Sequence, residues 1–188
     1  NTEIIFAFEN LSEESGLNIS DLFYTYAHEN KGQGVYYPTK DLLAIFPDED
    51  KRKEITFTSV AGQTLFNKYP SGQTGKDPVI VSRVAEMYLI SAEAQGRPNG
   101  LARLNDLREV RGLTAINPAP TTDKAFMDAV MDERRRELVT ENFRYYDLVR
   151  TGRAVEELGI QSHQVLFPIP GQQRLLNPLL GQNPGYGD

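Results

Sequence analysis

The hydrophobic and polar positions of this 188-residue chain change period near residue 80. Before it, the pattern is short and strand-like. Ile4, Phe6 and Phe8 alternate with Ile5 and Ala7, which predicts a strand with both faces at least partly covered. Lys53 to Val60 also alternates, with Ile55 and Phe57 opposite Thr56 and Thr58, and predicts a second strand. Thr39 to Phe46 is a short helical turn that Pro47 closes. Gly62 to Pro78 has no periodicity and is expected to be loop.

After residue 80 the period is helical. Val84, Met87, Tyr88, Ser91 and Gln95 run down one side, flanked by Ala85, Leu89 and Ala92, with Glu86 and Glu93 opposite. Small residues on that face let a neighbouring helix come close. Gly96 to Gly100 is a tight break. Leu101, Leu104 and Leu107 then share a face with Arg108 and Arg111, and Gly112 is placed as a C-terminal stop. Asn117 to Thr122 is a linker that offers Thr121 or Thr122 as the N-cap of the next helix. The prolines from Phe167-Pro168-Ile169-Pro170 through Asn177-Pro178 to Asn183-Pro184 predict a non-helical tail. Phe167, Ile169, Leu175, Leu179 and Tyr186 are its apolar pegs, expected to clamp across the helices.

The fold expected from these patterns is mainly α. It is a tetratricopeptide-like αα-hairpin superhelix with short β-strands and long irregular loops. Residues 1–80 form a loop-rich segment and candidate ligand-facing part; residues 81–188 form helical hairpins plus the Pro-rich tail. A repeat array needs roughly three or more repeats to bury a continuous core, and only about one and a half helical pairs are visible. The chain is therefore expected to be part of a larger protein, an expectation that its start at Asn1 rather than Met reinforces.

The third long helix carries an anomaly. Phe126, Ala129 and Val130 define its apolar stripe, and Glu133, Arg134, Glu137 and Glu141 continue it. Charges on a core-facing stripe must be paired or exposed, since burying one alone is prohibitive. The stretch is either an ion-pair network between helices or an active site. Glu133 and Glu137 could be the paired carboxylates of a glycosidase, but such pairs usually sit across a cleft on different elements. These two share one helix, with Arg134 and Arg136 beside them. The structural reading is preferred, with Glu133, Arg134, Glu137, Glu141 and Arg144 as the network.

Composition narrows the rest. A net charge of -6 argues against a phosphate-tracking nucleic-acid binder. Without cysteine there is no disulfide framework, thiolate metal site or thiol nucleophile. Only His28 and His163 are available for metal or triad chemistry, and neither has supporting spacing. Gly72 to Asp77 fails as a phosphate loop, because Pro70 stands where the first glycine is needed and Asp77 replaces the Ser/Thr. No metal, cofactor or catalytic residue is expected. The aromatic residues Phe23, Tyr24, Tyr26, Tyr36 and Tyr37 are the candidate ligand site, since a tyrosine face can stack on a sugar ring while its hydroxyl hydrogen-bonds. The competing reading is that they pin a long loop to the core.

Several blocks together resemble one family. They are Arg83 to Ala94, Leu104 to Arg108, the run Glu133 to Gly152, Leu166 to Pro170, Asn177-Pro178, and Gln182 to Tyr186. Weaker matches at Glu3 to Phe6, Asp50-Lys51-Arg52 and Lys68-Tyr69 fall in the same order. The chain is identified as resembling the C-terminal part of the SusD/RagB family of outer-membrane nutrient-binding lipoproteins. It departs from that pattern at Asn142, Tyr145 and Tyr146, where the family often has Gly followed by an aromatic that is commonly Trp.

The resemblance implies one SusD-like domain lacking its N-terminal portion. It also implies non-catalytic binding of an oligosaccharide or other nutrient at the cell surface, and delivery to a SusC-like TonB-dependent transporter. Membrane contact would come only through a lipid anchor missing from this chain. The alternatives are a helical protein-protein interaction scaffold without a small-molecule ligand, and a glycoside hydrolase using Glu133 and Glu137.

Overall fold

The computed structural model describes residues 3–11, 19–23, 36–71 and 76–187. Among them the chain is mainly helical with a few short strands. It divides into two compact units, Asn1–Glu141 and Asn142–Asp188. The break thus falls after the third long helix rather than at residue 80. The reason is a strand pair that ties the two sequence regions together: β1 (Ile4–Phe8) runs antiparallel to β4 (Val79–Arg83), and β4 passes directly into α4 (Val84–Gln95).

In the first unit, α1 (Ile19–Phe23) and α2 (Lys40–Ala44) are single turns. Thr39 caps α2 by accepting the Leu42 amide at 3.2 Å. The alternating stretch Lys53 to Val60 is only half strand. α3 (Arg52–Thr56) precedes β2 (Phe57–Val60) because Asp50 starts a turn, taking the Arg52 amide on Oδ1 at 3.0 Å and the Lys53 amide on its carbonyl at 2.9 Å. Ile55 is therefore exposed and Thr56 buried, the reverse of the strand reading.

The expected loop after Gly62 instead begins with β3 (Gln63–Phe66), paired with β2 through a two-residue turn. Ala61 and Gly62 both have positive φ, 50° and 79°, the tight hairpin geometry that matches strand twist. One core cluster forms around this hairpin from Phe23, Leu42, Phe46, Phe57, Phe66 and Tyr69. Strand β1 differs from expectation in its cover: Ile5, Phe6 and Phe8 are exposed.

Helix α4 forms a hairpin with α5 (Asn99–Val110), and α6 (Asp123–Glu137) packs on both. Ala85, Leu89, Ala92, Leu104, Leu107, Phe126 and Val130 are the buried apolar side chains of these three helices, with Met131. Thr122 is the cap of α6, its hydroxyl accepting the Ala125 amide at 3.1 Å.

The second unit holds α7 (Arg144–Arg150), α8 (Ala154–Leu158), a 3-10 turn at Ser162–Val165 and α9 (Gly171–Leu176). Helix α9 corrects the non-helical tail. Pro170 sits at its N-cap, where no amide is needed, and Pro178 follows its end. Polar side chains fasten the tail. Gln182 accepts the Ile169 amide and donates to the Ile169 carbonyl, at 2.7 and 3.1 Å. Tyr186 donates to the Leu166 carbonyl at 2.7 Å. The expected pegs Phe167, Leu175 and Leu179 are exposed.

Candidate functional site

The charged stripe of α6 meets cations from four other segments of the first unit. Glu133 is fully buried and lies 2.7 Å from Arg52 Nη1, 2.9 Å from Arg108 Nη1 and 2.7 Å from Arg136 Nη2. Glu137, one turn on, accepts from Arg52 Nη1 at 2.7 Å, Arg83 Nη1 at 2.5 Å, and Arg111 Nη2 and Nε at 2.8 and 3.0 Å. Glu141 accepts from Arg83 Nε at 2.9 Å and pairs with Lys68. Arg52 bridges Glu133 and Glu137 while its other edge forks onto Asp50, at 2.8 and 2.6 Å. Glu3, beside β1, reaches Arg83 at 3.1 Å. Arg134 is buried on the same helix. Arg144 lies in the second unit, where it pairs with Glu157 of α8.

This arrangement is built for holding, not for proton transfer. Burial acts to raise the Glu137 carboxyl, but the Arg111 and Arg83 hydrogen bonds and charges overcome it and hold the group well below the usual carboxylate range. A glycosidase acid needs the opposite shift. Each guanidinium is spread over more than one acceptor in a planar fork, so the cluster fixes α3, α5, α6 and the β4 end in one register. Burial pushes the Lys68 ammonium down, against the opposing pull of Glu141. No group of His, Asp and Glu suited to a metal ion occurs among the described residues.

The aromatic candidates separate. Phe23 is a core ring, correcting its assignment to a ligand face. It stacks on Tyr69 at 5.4 Å and meets Phe66 edge-on at 5.4 Å. Tyr36 leans on Phe23 at 5.9 Å, and its amide bonds to the Leu22 carbonyl at 3.1 Å. The Tyr36 ring is nevertheless 54% exposed, and neighbouring Tyr37 is 46% exposed. Tyr24 and Tyr26 lie outside the described residues. The sequence reading missed Arg52, Lys68, Arg83, Arg108 and Arg111 as partners of the glutamates, and Asp50 as the acceptor on the other edge of Arg52. The signal that could have found them was the set of minor family blocks, several of which contain one.

A family model described as the SusD family matches residues 63–165, more than half of the chain. The chain belongs to the SusD family. Among its relatives, SusD-like protein P38 of Formosa agariphila is 34% identical over 123 residues, covering 57% of this chain and 24% of the relative. SusD-like protein P25 of the same organism is 29% identical over 189 residues, covering 82% and 36%. A solved laminarin-binding SusD-like protein is 25% identical, with a TM-score of 0.77, covering 99% of this chain and 50% of that one. The chain therefore spans about a quarter to a third of the curated relatives it matches.

Proposed function

We propose that this chain is the C-terminal part of a non-catalytic, cell-surface lipoprotein of the outer membrane. It binds an oligosaccharide or related nutrient and hands it to a SusC-like TonB-dependent transporter. The likeness to a laminarin-binding SusD-like protein over 99% of the chain carries the carbohydrate part of this reading. The exposed Tyr36 and Tyr37 rings support a place for it. Phe23 supports the Tyr36 ring from below, which lowers the conformational cost of stacking a sugar on its free side.

Calorimetric titration with a panel of oligosaccharides, β-glucans included, tests the reading on both this chain and the longer protein. Saturable binding that Tyr36→Ala and Tyr37→Ala weaken without lowering the melting temperature is the expected result. Binding unaffected in both variants would remove the tyrosine face from the site. Hydrolysis of any oligosaccharide would overturn the non-catalytic reading.

A further inference from the structure

The last turn of α6 is gripped by groups that reach past the carboxylates to the backbone. Lys68 Nζ donates to the carbonyls of Glu137 and Val139, at 3.2 and 3.0 Å. Arg83 Nη2 donates to the Glu137 carbonyl at 2.6 Å, and the Tyr69 hydroxyl donates to the Thr140 carbonyl at 3.1 Å. Carbonyls at a helix end lack intrahelical partners and carry the negative end of the dipole, so cations there satisfy both demands.

What these groups hold is a strained path. Thr140 has φ 66°, a left-handed conformation that a β-branched side chain strongly disfavours. Asn142 follows with φ 64°. Between them lies the boundary of the two compact units, after Glu141. The Thr140 hydroxyl donates to the adjacent Val139 carbonyl at 2.6 Å. The left-handed turn is thus held through its carbonyls, by residues just after β3 and at the end of β4.

We propose that Lys68, Tyr69 and Arg83 form a clamp that holds residues 138–141 in this strained turn at the end of the first unit. Strain of this kind persists only where the surroundings over-determine it, and here three side chains converge on the carbonyls of Glu137, Val139 and Thr140. Removing the clamp lets Thr140 return to negative φ. Glycine at 140 would accept the positive φ without strain, so it would keep the path with a weakened clamp.

Hydrogen exchange by mass spectrometry on the intact chain tests this, with the Glu141 amide, bonded to the Leu138 carbonyl at 3.1 Å, as reporter. Lys68→Met should speed exchange across residues 139–142 by about tenfold or more while α4 and α5 keep their rates. Adding Thr140→Gly should bring the rate back to within about threefold of the parent. Tyr69→Phe, which deletes one hydroxyl and keeps the ring, should show the same local change at about threefold, and it serves if Lys68→Met does not fold. Unchanged exchange at residues 139–142, acceleration spread evenly over the first unit, or no recovery with Thr140→Gly would each overturn the proposal.

Discussion

Arg83 holds Glu137 twice, through its carboxylate at 2.5 Å and through its own backbone carbonyl at 2.6 Å. A residue ending β4 thereby fixes both the side chain and the main chain of the last residue of α6. The two are 54 positions apart in sequence. Such a contact makes the glutamate a keystone of the first unit, because Arg52 and Arg111 converge on the same carboxylate.

Truncating that carboxylate leaves buried guanidinium groups short of an acceptor. Glu137→Ala is expected to destabilise the chain by about 3–5 kcal/mol, the range for breaking a buried ion pair from one side. Urea unfolding followed by circular dichroism gives the number. An unchanged midpoint would mean that Asp50, Glu133 and Glu141 absorb the loss.

Acid should expose the same group. The folded Glu137 carboxyl is held below its unfolded value near about 4.3, so its contribution is full above that pH and is lost as pH falls below it. The parent is expected to lose stability more steeply between about pH 5 and 2 than Glu137→Gln does. Parallel curves for the two proteins would show that other carboxylates govern acid unfolding.

Alkali should act through Tyr69. Burial foremost, with the Glu141 charge adding to it, pushes its phenol up to about 12. A raised folded value means that its stabilising contribution is complete below the unfolded value near about 10 and disappears as pH climbs toward the folded one. Absorbance titration should show one late-ionising tyrosine coupled to unfolding. Tyr69→Phe should abolish that step and the alkaline loss of about 2–3 kcal/mol attached to it.

Gly100 of α5 packs tightly against the Ala92 backbone of α4. A Cβ there would fall 2.0 Å from the Ala92 carbonyl oxygen and 2.9 Å from Phe126 Cζ. In an open helix, alanine in place of glycine stabilises by about 1 kcal/mol. Here Gly100→Ala is expected to destabilise by about 1–3 kcal/mol through overpacking. Thermal melting distinguishes the two signs.

The placement of Glu133, Glu137 and Glu141 was legible because a 3.6-residue period carries them along the stripe of Phe126 and Val130. Their partners were not, since Arg108, Arg83 and Arg52 stand 25, 54 and 85 positions away and no local period reports a distant cation. The minor blocks containing Glu3, Asp50, Arg52 and Lys68 did hold the answer, but their common purpose appears only when the chain is folded. Errors elsewhere were also local. The Asp50 turn made a helix from an alternating stretch, and the Ala61-Gly62 turn made a hairpin from an unpatterned one.

The amino-acid pattern was enough for the mainly helical class, the α4–α5 hairpin, a cap at Thr121 or Thr122 and the presence of charges on a core-facing stripe, because these depend on residues within a few turns of each other. Tertiary structure alone decided which cation meets which carboxylate, that Phe23 is core while Tyr36 keeps an open face, and where the chain divides. Each of those outcomes depends on long-range packing, in which desolvation makes an unpaired charge costly and so selects an arrangement that supplies Glu133 and Glu137 with their arginines.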